Sequence, residues 1–163
     1  MTRTEARLRA RATPGASVTH RGRGFTLVEL LIVVAVIAIV AALAIPSLIH
    51  ARRAAHSASA VSSLRLIHSS QYSYHSSTGN YGDLSAIGPI IGDPLLRAGQ
   101  KSYYVFTVTP DAARPTDDYA ARATPAEPTT VTIWRHFYVD ASGVLRWQAG
   151  APAGAASAPV DQQ

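Results

Sequence analysis

An apolar run that carries a single carboxylate constrains this chain more than any other feature. The run covers residues 25–45, and Glu29 lies near its start, five residues after Gly24. As a helix with a rise of 1.5 Å per residue, the run would be about 30 Å long, which matches the hydrocarbon core of a bilayer. A charge at the bilayer centre costs roughly 2.5–3.5 kcal/mol on insertion scales and less near the end of a span. The run therefore predicts a membrane-spanning helix, and the unfavourable charge indicates that Glu29 is a functional residue.

The positive charge of the chain is concentrated before this run. The net charge is +5, and residues 1–24 contain six arginines and one glutamate, whereas the remaining residues contain nine basic and nine acidic side chains. Basic residues that flank an apolar helix stay on the cytoplasmic side, which predicts that the rest of the chain faces outward. The near-neutral remainder argues against nucleic-acid binding. The absence of cysteine excludes disulfides and thiolate metal sites.

The start of the apolar run resembles the N-terminus of type IV pilin and pseudopilin precursors. The matching residues are Gly24, Phe25, Thr26, Leu27, Glu29 and Pro46. The resemblance implies that a prepilin peptidase cuts after Gly24 and that the new N-terminus, Phe25, is methylated. It also implies that Glu29 guides subunit assembly by neutralising the new ammonium group, on its own chain or on a neighbour.

Plainer interpretations of the same residues remain. Glu29 near a helix N-terminus interacts favourably with the helix dipole, by about 0.3–1 kcal/mol. Ala42-Leu43-Ala44 fits an ordinary signal-peptidase site, although 20 apolar residues exceed the roughly 7–15 of an ordinary signal. An uncleaved anchor is a further alternative. A start at Val18 would give a short leader of the length common in the family.

Composition divides the chain into four segments. Residues 1–24 form a basic leader that is removed, 25–46 a transmembrane and assembly helix, 47–148 a pilin-like globular domain, and 149–163 a flexible tail rich in Ala, Pro, Gly and Ser. Pro46 removes one backbone donor, which predicts a kink or a melted turn near residues 42–46. The helix then continues to about residue 76 with an amphipathic stripe. The stripe consists of Ala54, Ala58, Val61, Leu64, Ile67, Gln71 and Tyr74.

The second half of the chain has strand patterns. Asp93-Pro94 predicts the start of a short helix that Gly99 ends. Residues rich in β-branched and aromatic side chains predict strands at 102–109, 118–123, 132–139 and 144–147, and Asp140 to Gly143 predict a hairpin turn between the last two. Residues 124–129 predict a loop. The expected fold class is α+β: a pilin-like fold in which a long N-terminal helix packs on a small antiparallel sheet of three to four strands.

No pattern in the sequence indicates catalysis or a metal centre. His68 and His75 are seven residues apart and share a helix face, but two histidines without a carboxylate do not make a metal site. No nucleophile–histidine–acid arrangement or phosphate-binding loop stands out. The sequence therefore predicts neither an enzyme nor a cofactor.

The resemblance implies a structural subunit of a type IV filament that polymerises through its apolar helix. The implied partners are a prepilin peptidase, identical or related pilin subunits, and an inner-membrane assembly platform with its ATPase. The subunit would lie in the inner membrane with its N-terminus in the cytoplasm and its domain in the periplasm, and then join a pilus or a pseudopilus. The alternatives are a pseudopilin of a type II secretion system and a minor pilin that binds DNA or a surface.

Overall fold

The computed structural model describes residues 24–126 and 134–160. The helices are α1 (Leu27–Thr78), α2 (Leu84–Ile87) and α3 (Pro94–Arg97). The strands are β1 (Gln100–Lys101), β2 (Tyr104–Pro110), β3 (Tyr119–Pro125), β4 (Arg135–Asp140), β5 (Arg146–Ala149) and β6 (Ala158–Pro159). The strands form one antiparallel sheet in chain order. The chain divides into two compact units between Ala42 and Leu43.

The C-terminal half of α1 buries the centre of the predicted stripe, whereas its first two members, Ala54 and Ala58, are exposed. Leu64, Ile67 and Gln71 are fully buried. Gln71 is satisfied by the backbone of Gly82, because its side chain donates to the Gly82 carbonyl and accepts from the Gly82 N–H at 3.0 Å. The helix ends at Thr78, where Gly79 adopts a φ of +76° and its N–H bonds the His75 carbonyl at 2.8 Å.

One face of the sheet packs against this half of α1. Alternate residues of β2 and β3 are buried, among them Tyr104, Phe106, Tyr119 and Ala121, and β4 adds Phe137 to the same core cluster. The Tyr119 hydroxyl and His68 Nδ1 of α1 share a hydrogen bond of 2.7 Å. The α+β fold class with a long N-terminal helix on an antiparallel sheet is therefore confirmed.

Within the described residues, the sheet has six strands rather than the three to four predicted, and the four longer ones correspond to the predicted set. The first predicted strand begins at Tyr104 rather than at Ser102, because Ser102 and Tyr103 form a two-residue hairpin loop with φ values of 49° and 70°. The predicted short helix is α3, whose N-cap Asp93 accepts from the N–H groups of Leu95 and Leu96. Residues 132–133 of the third predicted strand and 127–129 of the predicted loop lie outside the described residues.

The flexible tail expected at 149–163 is wrong for its described part. β6 pairs with β5, with Trp147 opposite Ala158, and the Val160 N–H donates to the Leu145 carbonyl at 2.9 Å. Ala153 is only 3% exposed, and Val160 packs against the core cluster. Small side chains bury little area, but their backbone groups complete the edge of the sheet, and composition alone does not reveal this pairing.

Candidate functional site

The site predicted from the sequence is the N-terminal end of α1. Gly24, Phe25 and Thr26 precede the helix in a non-helical conformation, and all three are exposed. Phe25 is 75% exposed, and apart from the chain neighbours of Gly24 no described residue has an atom within 4 Å of the position that a Cβ on Gly24 would occupy. The peptide bond between Gly24 and Phe25 is therefore accessible within the described part of the chain. Residues 1–23 of the predicted leader lie outside the described residues.

Thr26 and Glu29 form a reciprocal cap on α1. The Glu29 N–H donates to Thr26 Oγ1 at 3.1 Å, and Glu29 Oε2 accepts from both the Thr26 N–H and the Thr26 hydroxyl at 3.2 Å. Thr26 therefore occupies the N-cap position and Glu29 the third helical position of a capping box, in which two otherwise unpaired N–H groups are satisfied. The Thr-x-x-Glu spacing is the sequence signal for this arrangement. Sequence reasoning assigned the helix dipole and a role in assembly to Glu29, but not this cap.

The first half of α1 exposes apolar side chains on all sides. An 18-residue window near its N-terminus contains no buried residue, and α1 is the helix of the described chain that is long and apolar enough to cross a membrane. The exposed fractions of its large apolar side chains range from 76% at Leu27 to 44% at Ile49. A helix that is apolar on every side is stable only when lipid or other helices cover it.

Pro46 lies within this helix. The helical backbone is continuous from Leu27 to Thr78, so the melted turn expected near residues 42–46 is not present. Pro46 has no N–H to donate to the carbonyl of Ala42, and the boundary between the two compact units follows Ala42. A bend at Pro46 stays a prediction.

The histidines singled out in the sequence belong to the packing of the domain. His68 bonds Tyr119, as described above, and His75 Nε2 lies 3.0 Å from the Thr116 carbonyl while its ring stacks on Tyr81 at 4.5 Å. Among residues 24–126 and 134–160, no group of three or more His, Cys, Asp or Glu side chains is arranged to hold a metal ion.

Comparison with protein families identifies the N-terminal segment. Residues 19–45 match the family model described as the prokaryotic N-terminal methylation motif, which is the type IV prepilin-like signal for cleavage and methylation. The resemblance of this segment to prepilin-type precursors is therefore confirmed. No curated protein and no solved structure matches the chain.

Proposed function

We propose that this protein is the precursor of a pilin-like subunit of a type IV filament. A prepilin peptidase cuts after Gly24, Phe25 is N-methylated, and the mature chain polymerises through α1. The exposed apolar surface from Leu27 to Ile49 carries the proposal, because it needs lipid before assembly and neighbouring helices after it. The methylation motif and the α+β fold support the same function.

The capping box gives Glu29 two roles in this mechanism. In the precursor, its carboxylate satisfies the first turn of α1. Cleavage creates an ammonium group on Phe25, next to Thr26, and methylation would retain its charge. A charge without a partner among apolar helices is destabilising by about 3–5 kcal/mol. Glu29 of an incoming or neighbouring subunit would neutralise that charge and so fix the axial stagger between subunits.

The surroundings of the protein follow from this function. Before assembly, the subunit lies in the inner membrane with its N-terminus in the cytoplasm and its domain in the periplasm. It then meets an assembly platform with its ATPase and joins identical or related subunits in a pilus. A pseudopilin of a secretion system shares the same chemistry, and neighbouring genes for a retraction ATPase or a secretion channel separate the two roles.

Substitutions at Glu29 and Thr26 separate charge pairing from helix capping. Glutamine also serves at the third position of a capping box, so Glu29→Gln keeps the cap and removes the charge. Thr26→Val removes the capping hydroxyl and keeps the charge. We expect Glu29→Gln to be processed and inserted normally but to reduce filament yield more than a hundredfold, because the Phe25 ammonium loses its partner at a cost of about 3–5 kcal/mol.

The matched variant, Thr26→Val, should reduce filament yield only modestly, because capping contributes about 1 kcal/mol. The measurement is the amount of sheared or pelleted filament relative to membrane-bound subunit. Normal filament yield with Glu29→Gln would refute the pairing role. Equal losses in the two variants would assign Glu29 to the cap alone.

A further inference from the structure

A basic groove lies between α1 and the start of β4 in the C-terminal unit. Its volume is about 590 Å³, and its basic lining residues are His50, Arg53, Arg65 and Arg135. Ala54 and Phe137 belong to its apolar floor. No carboxylate is among the described residues that line it. The groove therefore suits a ligand that has both an anionic and an apolar part.

Aromatic rings hold the two central guanidinium groups. The Arg53 guanidinium carbon lies 5.7 Å from the ring centre of Trp134, and that of Arg135 lies 4.3 Å from the ring centre of Trp147. Within residues 24–126 and 134–160, neither arginine forms an ion pair. Contact with an aromatic face restricts the motion of a guanidinium group. Its N–H donors lie in the plane of the group and remain able to bind a phosphate, whose oxygens match their spacing.

Trp134 is held in a small aromatic cluster beside Arg53. Its ring stacks on Tyr103 with 4.8 Å between centres, and His56 of α1 lies 6.5 Å from it. Tyr103 adopts a φ of 70°, which is strained for a bulky residue. The cluster beside Arg53, next to the groove lining, thus contains tryptophan and tyrosine, the residues enriched where a membrane meets water.

The position of the groove along α1 indicates its ligand. Leu48 and Ile49 are exposed apolar residues, 52% and 44% exposed, and His50 is the first polar residue after them. Arg53 follows Ile49 by four residues, about 6 Å along the helix. The headgroup layer extends about 5–7 Å beyond the hydrocarbon core on each side. An apolar segment inserted up to Ile49 therefore brings the groove to the level of the lipid phosphates.

We propose that the basic groove binds the phosphate of an anionic phospholipid in the outer leaflet of the membrane that α1 crosses. Arg53 and Arg135 donate to the phosphate oxygens, Trp134 lies at the level of the glycerol, and the apolar floor contacts the first methylenes. This binding holds the base of the globular domain against the bilayer until the subunit enters a filament. The proposal rests on the proposed function, because only an inserted α1 brings the groove to a bilayer.

The test uses the full chain in vesicles and the fluorescence of Trp134. The chain has two tryptophans, so Trp147→Phe leaves Trp134 as the reporter, and phenylalanine keeps an aromatic face against Arg135. Quenching is compared for phosphatidylglycerol and phosphatidylcholine brominated near the glycerol, at equal mole fractions. We expect phosphatidylglycerol to be enriched beside Trp134 about fivefold for each arginine. If Trp147→Phe does not fold, the difference in quenching between wild type and Trp134→Phe gives the quenching of Trp134 by each lipid.

Charge variants supply the matched control. Arg53→Gln with Arg135→Gln should bring the lipid preference to about one. Arg97→Gln with Arg114→Gln removes the same charge from residues that do not line the groove, and should leave the preference unchanged. Equal loss in both double variants would mean that only bulk charge matters and would overturn the site.

Further outcomes assign the groove to another ligand and overturn the proposal. Equal quenching by the two lipids excludes the phospholipid. A preference that disappears when the protein is diluted into more lipid indicates a second copy of the chain. An equal response to inorganic phosphate, or to a DNA duplex, in purely phosphatidylcholine vesicles indicates a soluble anion or nucleic acid. Extraction of the chain by alkali would refute membrane insertion and with it the proposed function, whereas the other results leave that function standing.

Discussion

At the scale of single residues, His136 carries a buried polar atom that is sensitive to pH. Its Nδ1 atom is buried on β4 and has no hydrogen-bond partner among the described residues. Burial lowers the pKa of His136 below the ordinary histidine value of 6.5. The folded domain therefore favours the neutral ring, whereas the unfolded chain takes up a proton more readily.

The stability of the domain should consequently fall in acid. The neutral His136 ring contributes fully to the free energy of unfolding above the pKa of the unfolded chain, which is about 6.5. This contribution is lost as the pH falls through the lower pKa of the folded domain. His136→Gln should reduce the dependence of stability on pH in this range. His50→Gln, at an exposed position on α1, should leave that dependence unchanged. The measurement is the unfolding midpoint of the detergent-solubilised chain as a function of pH. An unchanged slope in His136→Gln would contradict the assignment.

At the scale of elements, Gln71 joins α1 to the loop that follows it. Its amide pairs with both backbone groups of Gly82 in a fully buried position. Gln71→Met keeps the length of the side chain but leaves the N–H and the carbonyl of Gly82 unpaired. The free energy of unfolding should decrease by about 1–3 kcal/mol. Ser69→Met on the exposed side of the same helix should change it little, and equal effects would show that the pairing is unimportant.

The segment from Gly150 to Val160 gives a second test at this scale. Ala153 is buried and Ala155 is exposed two residues later. Ala153→Asp places a carboxylate in a buried apolar position and should cost about 2 kcal/mol or more, whereas Ala155→Asp should be nearly neutral. Denaturant unfolding followed by near-ultraviolet circular dichroism compares the two. If neither substitution lowers the free energy of unfolding, this segment does not pack on the sheet in solution.

Local patterns explain which elements were predictable. The buried part of the α1 stripe from Leu64 to Gln71, the Asp93 cap and the longer strands each depend on neighbouring residues, and the sequence displays them directly. The two-residue strands β1 and β6 have no periodic pattern of their own and exist only because a longer strand offers backbone partners. The C-terminal segment was mistaken for a tail for the same reason.

The functional residues also divide into those that a local motif predicts and those that only the folded chain brings together. The Gly24–Phe25 junction and Glu29 lie in one short motif and were predicted, and the Thr26 cap had a spacing signal that went unused. The basic groove joins Arg53 on α1 to Arg135 on β4, which are far apart in the sequence. Only the pairing of the sheet and its packing on α1 bring these two residues together.

At the scale of the whole molecule, processing changes the character of the chain. Removal of residues 1–24 would take away six arginines and one glutamate and leave nine basic and nine acidic residues. The leader that orients the precursor in the membrane would thus be separated from a nearly neutral subunit with an exposed apolar helix. Neutral subunits pack side by side without mutual repulsion, which favours a filament.

The most direct test of the central proposal is the mass of the N-terminal peptide of the protein in membrane and filament fractions. We predict a chain that begins at Phe25 and carries one methyl group, and Gly24→Val should leave an unprocessed precursor because a branched side chain restricts the backbone beside the scissile bond. A wild-type protein that keeps its leader, or one that begins at Ile45, would contradict the prepilin function.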